Sequence, residues 1–375
     1  MSLPAHPGNN ISILHLPTDL LDVLFGFCDY PTIASLRKSC KPFRKFLEDA
    51  MPKCSVSSIH IQQFEKHAVL QFCLEKEAKE ISIEYKEHEN VDCMIRYVNN
   101  NGLEVEKILK GDSYTDVFFN DLDLFLEHVQ DSVLDDFHIE TEPLDYEFST
   151  TAQDQSFEDF MERLQGFLTR DKLIKTKLFT MRVRYVEFVP RILPRFDPDH
   201  LKKLKFTPMI RRDLTLVNIG NGIRQCLDFD VISDLEQWRR AEELIIDDID
   251  HIGRVEPFFH FEKIQIIFNM LEVVDIELMM QNMLVSGSLS KRFSVEREIL
   301  MYFFITRRSR RYGEPFEDKY FFHSAVTDAI LELTWLWQKF ELKLIPRWEV
   351  PEQATILNFD ALIPIDRAIG FPPTY

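Results

Sequence analysis

The residue types that could perform catalysis occur here without the spacing that catalysis needs. Gly220-Asn221-Gly222 has Gln225 where a dinucleotide-binding fingerprint requires its third glycine, so a turn is the simpler interpretation. His251 and His260 stand nine positions apart, which does not place two metal ligands on one helix face. The sequence has no GxxxxGKS/T loop, HExxH motif or GxSxG nucleophile elbow. We therefore expect no catalytic residue, no metal and no cofactor.

The six cysteines also lack the spacing of a metal or redox site, since no two of them are closer than 12 positions. The opening residues MSLPAHPGNN have neither the basic region nor the apolar region of a signal peptide. No apolar run approaches the length that crosses a bilayer. These features predict a protein of a reducing compartment, the cytoplasm and/or the nucleus, without a membrane segment.

Charge is unevenly distributed along the chain. Acidic residues outnumber basic ones 62 to 44, a net charge of −18, which argues against direct binding to nucleic acid or to an anionic membrane. Gly111–Glu162 holds sixteen acidic residues and no Lys or Arg, whereas Arg163–Arg212 holds fourteen basic ones. We interpret these blocks as solvated faces that attract each other; a dedicated site for a charged ligand is the alternative.

The elements that would carry a binding site begin near the N-terminus. Pro17, Pro31 and Pro42 each stand where a helix would begin, because proline is favoured at the first helical position. Three short helices between 14 and 52 cannot hide the apolar residues around them, so part of that surface should be available to a partner. Five segments with partial period-two alternation follow between 55 and 110 and predict an antiparallel meander: Val56–Ile61, Val69–Leu74, Ile81–Tyr85, Cys93–Val98 and Leu103–Leu109.

Helical and strand patterns alternate from residue 111 to 298, which favours parallel strands with helical crossovers. The predicted helices are Asp116–Gln130, Ser156–Leu168, Val186–Leu193, Val231–Arg240 and Val274–Leu284. The predicted strands are Phe137–Ile139, Leu178–Val183, Leu204–Phe206, Leu244–Asp247, Ile264–Ile267 and Phe293–Val295. We expect these elements to form a curved, leucine-rich-repeat-like array of the α/β class. With the N-terminal helices and the antiparallel meander, the whole chain is α+β.

The strand face away from the helices is the expected binding surface of this array. Alternate side chains on each strand would point toward a target protein. The candidates are Thr180 and Arg182, Lys203 and Lys205, Ile245 and Asp247, and Gln265 and Ile267. Residues 299–375 form a C-terminal extension of uncertain fold, in which Ala325–Phe340 is predicted to be helical.

The N-terminal helices resemble an F-box, and residues 1–13 before them are expected to be disordered. The motifs that carry the resemblance are Leu16-Pro17-Thr18-Asp19-Leu20-Leu21, Cys28-Asp29-Tyr30-Pro31-Thr32-Ile33, Leu36-Arg37-Lys38-Ser39-Cys40-Lys41 and Phe43-Arg44. In that family, the apolar surface docks onto a Skp-type adaptor and through it onto a cullin. The resemblance implies adaptor contacts from Leu16, Pro17, Leu20, Leu21, Leu24, Phe25, Ile33, Leu36, Arg37, Cys40 and Phe43.

The following region is similar to nematode F-box proteins that carry a C-terminal FTH domain. The resemblance rests on Leu193-Pro194-Arg195-Phe196-Asp197-Pro198, on the run from Asp234 to Leu244 that contains Trp238, and on Phe258-Phe259-His260-Phe261-Glu262. It implies a non-catalytic substrate-recognition subunit of a Skp–cullin–F-box ubiquitin ligase, with an unknown target protein. An F-box adaptor that recruits a regulatory protein without degradation is the alternative, and an enzyme of unrecognised type is the third hypothesis.

Overall fold

The computed structural model divides the chain into two compact units, residues 1–135 with 170–175, and residues 136–169 with 176–375. None of the described helices is long and apolar enough to span a membrane. The structure describes residues 16–25, 56–74, 79–89, 92–99, 104–129, 132–141, 151–168, 172–183, 186–208, 229–246, 254–268, 273–297, 317–323, 328–336 and 339–359, together with Thr32, Ile33, Leu36, Lys41, Arg44, Lys45, Leu47 and Gly102.

The first unit contains the predicted meander. Its strands pair antiparallel in the order β1-β2-β3-β4-β5, as the sequence predicted. Gly102, between the last two strands, has φ +72°, a backbone conformation that glycine adopts without steric cost. The elements are α1 (Thr18–Phe25), β1 (Val56–Gln63), β2 (His67–Leu74), β3 (Lys79–His88), β4 (Asp92–Asn99), β5 (Glu104–Leu109) and α2 (Tyr114–Val129).

Helix α2 covers one face of the meander through aromatic packing. The rings of Phe125 and Phe72 have centroids 4.5 Å apart, and Tyr85 meets Phe118 edge-on at 5.4 Å. The buried Tyr85 hydroxyl donates a hydrogen bond of 3.1 Å to Asp121, so its polar end is satisfied. Because Asp121 belongs to the acidic block, part of that block serves the packing of this unit.

The second unit contains one large sheet with the strand order β15-β12-β13-β14-β11-β10-β9-β8-β7-β6. Its elements are β6 (Val133–Thr141), α3 (Thr151–Leu168), β7 (Lys175–Val183), α4 (Val189–Ile192), β8 (Lys203–Pro208), α5 (Phe229–Ser233), α6 (Glu236–Arg240), β9 (Glu243–Ile246), β10 (Lys263–Phe268), α7 (Val273–Ser286), β11 (Arg292–Arg297), β12 (Glu317–His323), β13 (Ala329–Leu336), β14 (Lys339–Pro346) and β15 (Ile356–Asn358). Short 3-10 turns occupy Val186–Phe188, Leu193–Arg195, Glu256–Phe258 and Arg347–Glu349.

Strands β7 to β11 are parallel, which confirms the predicted array. The residues just before β8, β9 and β10 repeat the same backbone hydrogen bond to their counterparts one strand back. The N–H of Lys202 donates to Lys177 O at 2.9 Å, Glu242 to Lys202 O at 2.8 Å and Glu262 to Glu242 O at 2.8 Å. Arg292, the first residue of β11, donates in turn to Glu262 O at 2.7 Å. This recurrence supports a structural repeat that the degenerate sequence does not display. The curvature of the array stays a prediction.

Two sequence-based assignments differ from the structure. The predicted helix Val231–Arg240 is divided into α5 and α6, because Leu235 between them has the extended conformation, φ −75° and ψ 138°. The predicted helix Ala325–Phe340 is wrong: the described residues of this segment lie in strands β13 and β14, and β14 pairs antiparallel with β11. Strand β13 is buried on both faces over its first six residues, so it lacks the alternation by which a strand is recognised.

Candidate functional site

Helix α1 presents an exposed apolar stripe. Pro17 precedes the helix, and its carbonyl accepts the N–H groups of Leu20 and Leu21 at 3.0 and 3.1 Å, which fixes the first turn. Leu20, Val23 and Leu24, which we call the α1 stripe, are 52%, 57% and 42% exposed. Their i, i+3 and i+4 spacing places them on one side of the helix, whereas Leu21 is buried. The stripe is a small apolar surface of the kind that a partner chain could cover.

The predicted adaptor contacts differ in exposure, and their docking stays a prediction. The side chains of Leu21 and Ile33 are buried within the chain. Val23 is exposed beside Leu20 and Leu24 but was missed, although its spacing three after Leu20 pointed to the same helix face. Pro17 is exposed, Leu16 and Leu36 are half-buried, and the Phe25 side chain with Arg37, Cys40 and Phe43 lies outside the described residues.

The parallel strands of the second unit are aligned so that the sheet has one apolar face and one polar face. Phe179, Leu204, Leu244, Ile264 and Phe293 are aligned across β7 to β11, and all five are buried. Phe196, which follows the 3-10 turn at Leu193–Arg195, packs on this face, and its ring centroid lies 4.3 Å from that of Phe179. The next residue of each strand points to the opposite side.

That opposite side is polar, and we call it the polar strand face. Its described residues on β7 to β11 are partly or well exposed apart from the buried Thr176 and Thr180. The residues of this face are Thr176, Leu178, Thr180, Arg182, Lys203, Lys205, Thr207, Glu243, Ile245, Lys263, Gln265, Arg292 and Ser294. The alternation follows from the sequence: apolar residues occupy every second position on β8 to β11, and the intervening positions are mostly charged or polar.

Six of the eight predicted target-binding residues share this face. Arg182, Lys203, Lys205, Ile245 and Gln265 are at least partly exposed there. Thr180 is the sixth; its side chain is buried, and its hydroxyl donates to Asp136 Oδ1 at 3.3 Å. Asp247 and the side chain of Ile267 lie outside the described residues.

The polar strand face is organised by ion pairs between neighbouring strands. The Arg182 guanidinium lies 2.7 Å from the Glu140 carboxylate on β6. Glu243 lies between two lysines, pairing with Lys203 at 3.3 Å and with Lys263 at closer range. The hydrogen bond from Lys263, more than any other interaction, lowers the pKa of the Glu243 carboxyl. Glu243 is therefore committed to its two lysines rather than offered to a partner.

Trp238 connects successive repeats on the apolar side of the sheet, away from the polar strand face. Its indole N–H donates to the Pro257 carbonyl at 3.0 Å, and its own carbonyl accepts from His260 Nε2 at 2.7 Å. The preceding Gln237 donates to the Phe196 carbonyl at 2.7 Å, which reaches back to the previous repeat. Trp238 is thus a buried anchor between successive repeats.

Residues 158–304 match the model of the FTH domain. The match begins within α3, includes Trp238 and the polar strand face of β7 to β11, and ends before β12. The predicted FTH resemblance is confirmed over these residues. No curated protein and no solved structure matches the chain. The N-terminal F-box stays a prediction.

Proposed function

We propose that this chain is the substrate-recognition subunit of a Skp–cullin–F-box ubiquitin ligase. The observation that carries the proposal is the α1 stripe, an exposed apolar surface on the first helix of a segment that resembles an F-box. The FTH domain is a protein-interaction domain associated with F-box proteins, so its match supports the same role.

The subunit would make no bonds itself. Its N-terminal helices would hold the Skp-type adaptor, and its FTH domain would hold the target on the polar strand face. Tethering a target lysine near a charged conjugating enzyme raises the effective concentration of the two reactants without any catalytic side chain. This mechanism requires only two binding surfaces on one chain, and it would operate in the cytoplasm or the nucleus.

The α1 stripe can supply a useful part of the adaptor affinity. Fully burying a Leu or Val side chain contributes about 1.5–3 kcal/mol, so covering the exposed half of each stripe residue contributes about 1 kcal/mol. The three side chains would together supply roughly 3 kcal/mol, or about a hundredfold in affinity. A carboxylate at the same position would instead have to be buried against an apolar partner.

Substitution of the stripe tests this proposal. The double variant Leu20→Asp with Leu24→Asp should lose co-purification with a Skp-type adaptor. A matched control is Val285→Asp with Leu289→Asp, which changes two apolar side chains that are 64% and 51% exposed, at the end of α7 and beyond it. Circular dichroism would establish that both variants remain folded. Undiminished adaptor recovery by the stripe variant would refute the proposed contact surface.

Degradation of the bound protein separates this function from the non-degradative alternative. Proteasome inhibition should raise the level of a target that co-purifies with the wild-type chain. The stripe variant should leave that target bound but stable, because the ligase is no longer recruited. A target whose level responds to neither treatment would support the alternative of a recruiting adaptor.

A further inference from the structure

A row of charged side chains crosses the polar strand face at one register level. It is formed by Lys203 on β8, Glu243 on β9, Lys263 on β10, Arg292 on β11 and Lys343 on β14. We call these five residues the basic row. Each member lies directly opposite the next on the neighbouring strand, so adjacent members are separated by one strand spacing of about 4.8 Å.

The centre of the basic row places three cations side by side. Lys263, Arg292 and Lys343 occupy successive strands, and like charges in such positions repel each other. Two carboxylates pair with the outer members of this trio: Glu243 pairs with Lys263, and Glu332 on β13 lies 3.2 Å from Lys343. Glu332 is buried and is shared with Lys319 at 3.7 Å. Both flanking lysines therefore have an acidic partner on the side away from Arg292.

Two acidic residues near Arg292, one on the paired strand and one before the neighbouring strand, contact other side chains. Glu341 lies one rung away on β14 and pairs with Lys339 at 2.9 Å. Glu262 precedes β10 and accepts a hydrogen bond of 2.9 Å from Ser290. Among the described residues, no carboxylate lies within ion-pair distance of the exposed Arg292 guanidinium. The positive charge of Arg292 lowers the pKa of the Lys263 ammonium group, whereas Glu243 raises it.

We propose that the basic row binds an acidic segment of the target protein, with one carboxylate paired to Arg292. A guanidinium presents a planar set of donors that matches a carboxylate in a bidentate pair, which the lysines on either side cannot do. An incoming carboxylate would also relieve the repulsion among the three central cations. This inference rests on the proposed role of the polar strand face as the target-binding surface, and it adds the chemistry of the target.

The dimensions and the charge of the molecule favour a short acidic peptide over a nucleic acid. Lys203 and Lys343 are four strand spacings apart, or about 19 Å, a span of about six residues of extended chain. A long polyanion would extend beyond the row and meet a chain whose net charge is −18. A segment of about six residues would interact chiefly with the local positive charge.

A peptide-binding assay on the full-length protein tests the inference. The probe is a fluorescein-labelled peptide of six glutamates, with a six-glutamine peptide and a six-nucleotide single-stranded DNA as comparisons. The wild-type protein should bind the glutamate peptide at least tenfold more tightly than either comparison at 50 mM salt, and more weakly as salt screens the charges. Arg292→Gln should lose at least fivefold of that affinity, and Arg292→Lys should recover only part of it.

The matched control is Arg254→Gln, which removes an exposed arginine from the loop before the 3-10 turn at Glu256–Phe258. It should bind the glutamate peptide as the wild type does. Equal binding by Arg292→Gln and the wild type would overturn the inference, as would DNA binding as tight as that of the glutamate peptide. Adaptor co-purification is measured separately: its loss in the α1 stripe variant tests the ligase function, whereas the Arg292 series tests only the acidic-segment site.

Discussion

Replacing Trp238 by alanine should remove the strongest single packing anchor of the FTH domain. The side chain is only 1% exposed and is the largest fully buried side chain among the residues that the structure describes. Its ring lies 4.9 Å from Phe261, 5.7 Å from Phe229 and 5.9 Å from Phe258, so it fills the space between α5 and the next repeat. Its N–H also satisfies the Pro257 carbonyl.

The expected cost follows from these contacts. Truncating a buried Trp to Ala costs about 3–5 kcal/mol, because the surrounding rings collapse only in part into the space left behind. Leaving the Pro257 carbonyl without its donor adds about 1 kcal/mol. A total of about 4–6 kcal/mol is comparable with the whole stability of a typical domain, which is about 5–15 kcal/mol. The melting temperature should fall by at least about 10 °C.

Differential scanning calorimetry measures this loss without relying on tryptophan fluorescence. The matched control is Trp348→Ala, because Trp348 is 84% exposed and its removal should change the free energy of unfolding by less than about 0.5 kcal/mol. Trp238→Phe should fall between the two, since it keeps a ring but loses the hydrogen bond. A cost below about 1 kcal/mol for Trp238→Ala, or equal costs at the two tryptophans, would refute the reasoning.

Two further predictions concern titration and reactivity. Burial lowers the pKa of His260 below its ordinary value of 6.5, so below that pH the unfolded chain takes up the proton first. The free energy of unfolding should therefore fall between pH 7 and pH 5, and His260→Gln, which keeps a donor toward the Trp238 carbonyl, should show a smaller fall. Burial, followed by the charge of Asp121, raises the pKa of the Cys93 thiol to about 11. Iodoacetamide at pH 8 should consequently leave Cys93 unmodified in the folded chain, and rapid labelling detected by mass spectrometry would contradict this.

The sequence was most informative where one face of a strand is buried and the other is not. The alternation in Val56–Gln63 and Lys203–Pro208 survives in the structure, which is why both the meander and the parallel array could be predicted. The alternation is missing at Ala329–Leu336, where the first six residues are all buried and the loop after β14 packs against Phe321, Ile330 and Ile345. A strand that is buried on both faces has no polar face, so its sequence lacks the alternation that identifies a strand.

The basic row could not be predicted, because its members come together only through register. Arg292 and Lys343 are 51 positions apart in sequence, and their alignment depends on an antiparallel pairing within a segment that was predicted to be helical. Thr180 illustrates a related limit. Its position on the strand correctly predicts which face of the sheet it lies on, but the sequence does not indicate that Asp136 on the neighbouring β6 accepts a hydrogen bond from its hydroxyl. The local sequence pattern determines which face of the sheet a side chain lies on, whereas the side chains that it contacts depend on how distant strands pair.

The antiparallel pairing of β14 with β11 also bears on how this array could grow or be shortened in evolution. A parallel repeat lengthens by adding another strand and crossover at its open edge, and β14 occupies that edge with the wrong polarity for a further repeat. It acts as a terminator that fixes the number of repeats on this side. Deleting the residues after 304, where the FTH match ends, would uncover the N–H and C=O groups of β11 and leave an edge prone to pairing with other chains. Selection on the repeats should therefore extend to β14, even though it lies outside the matched domain.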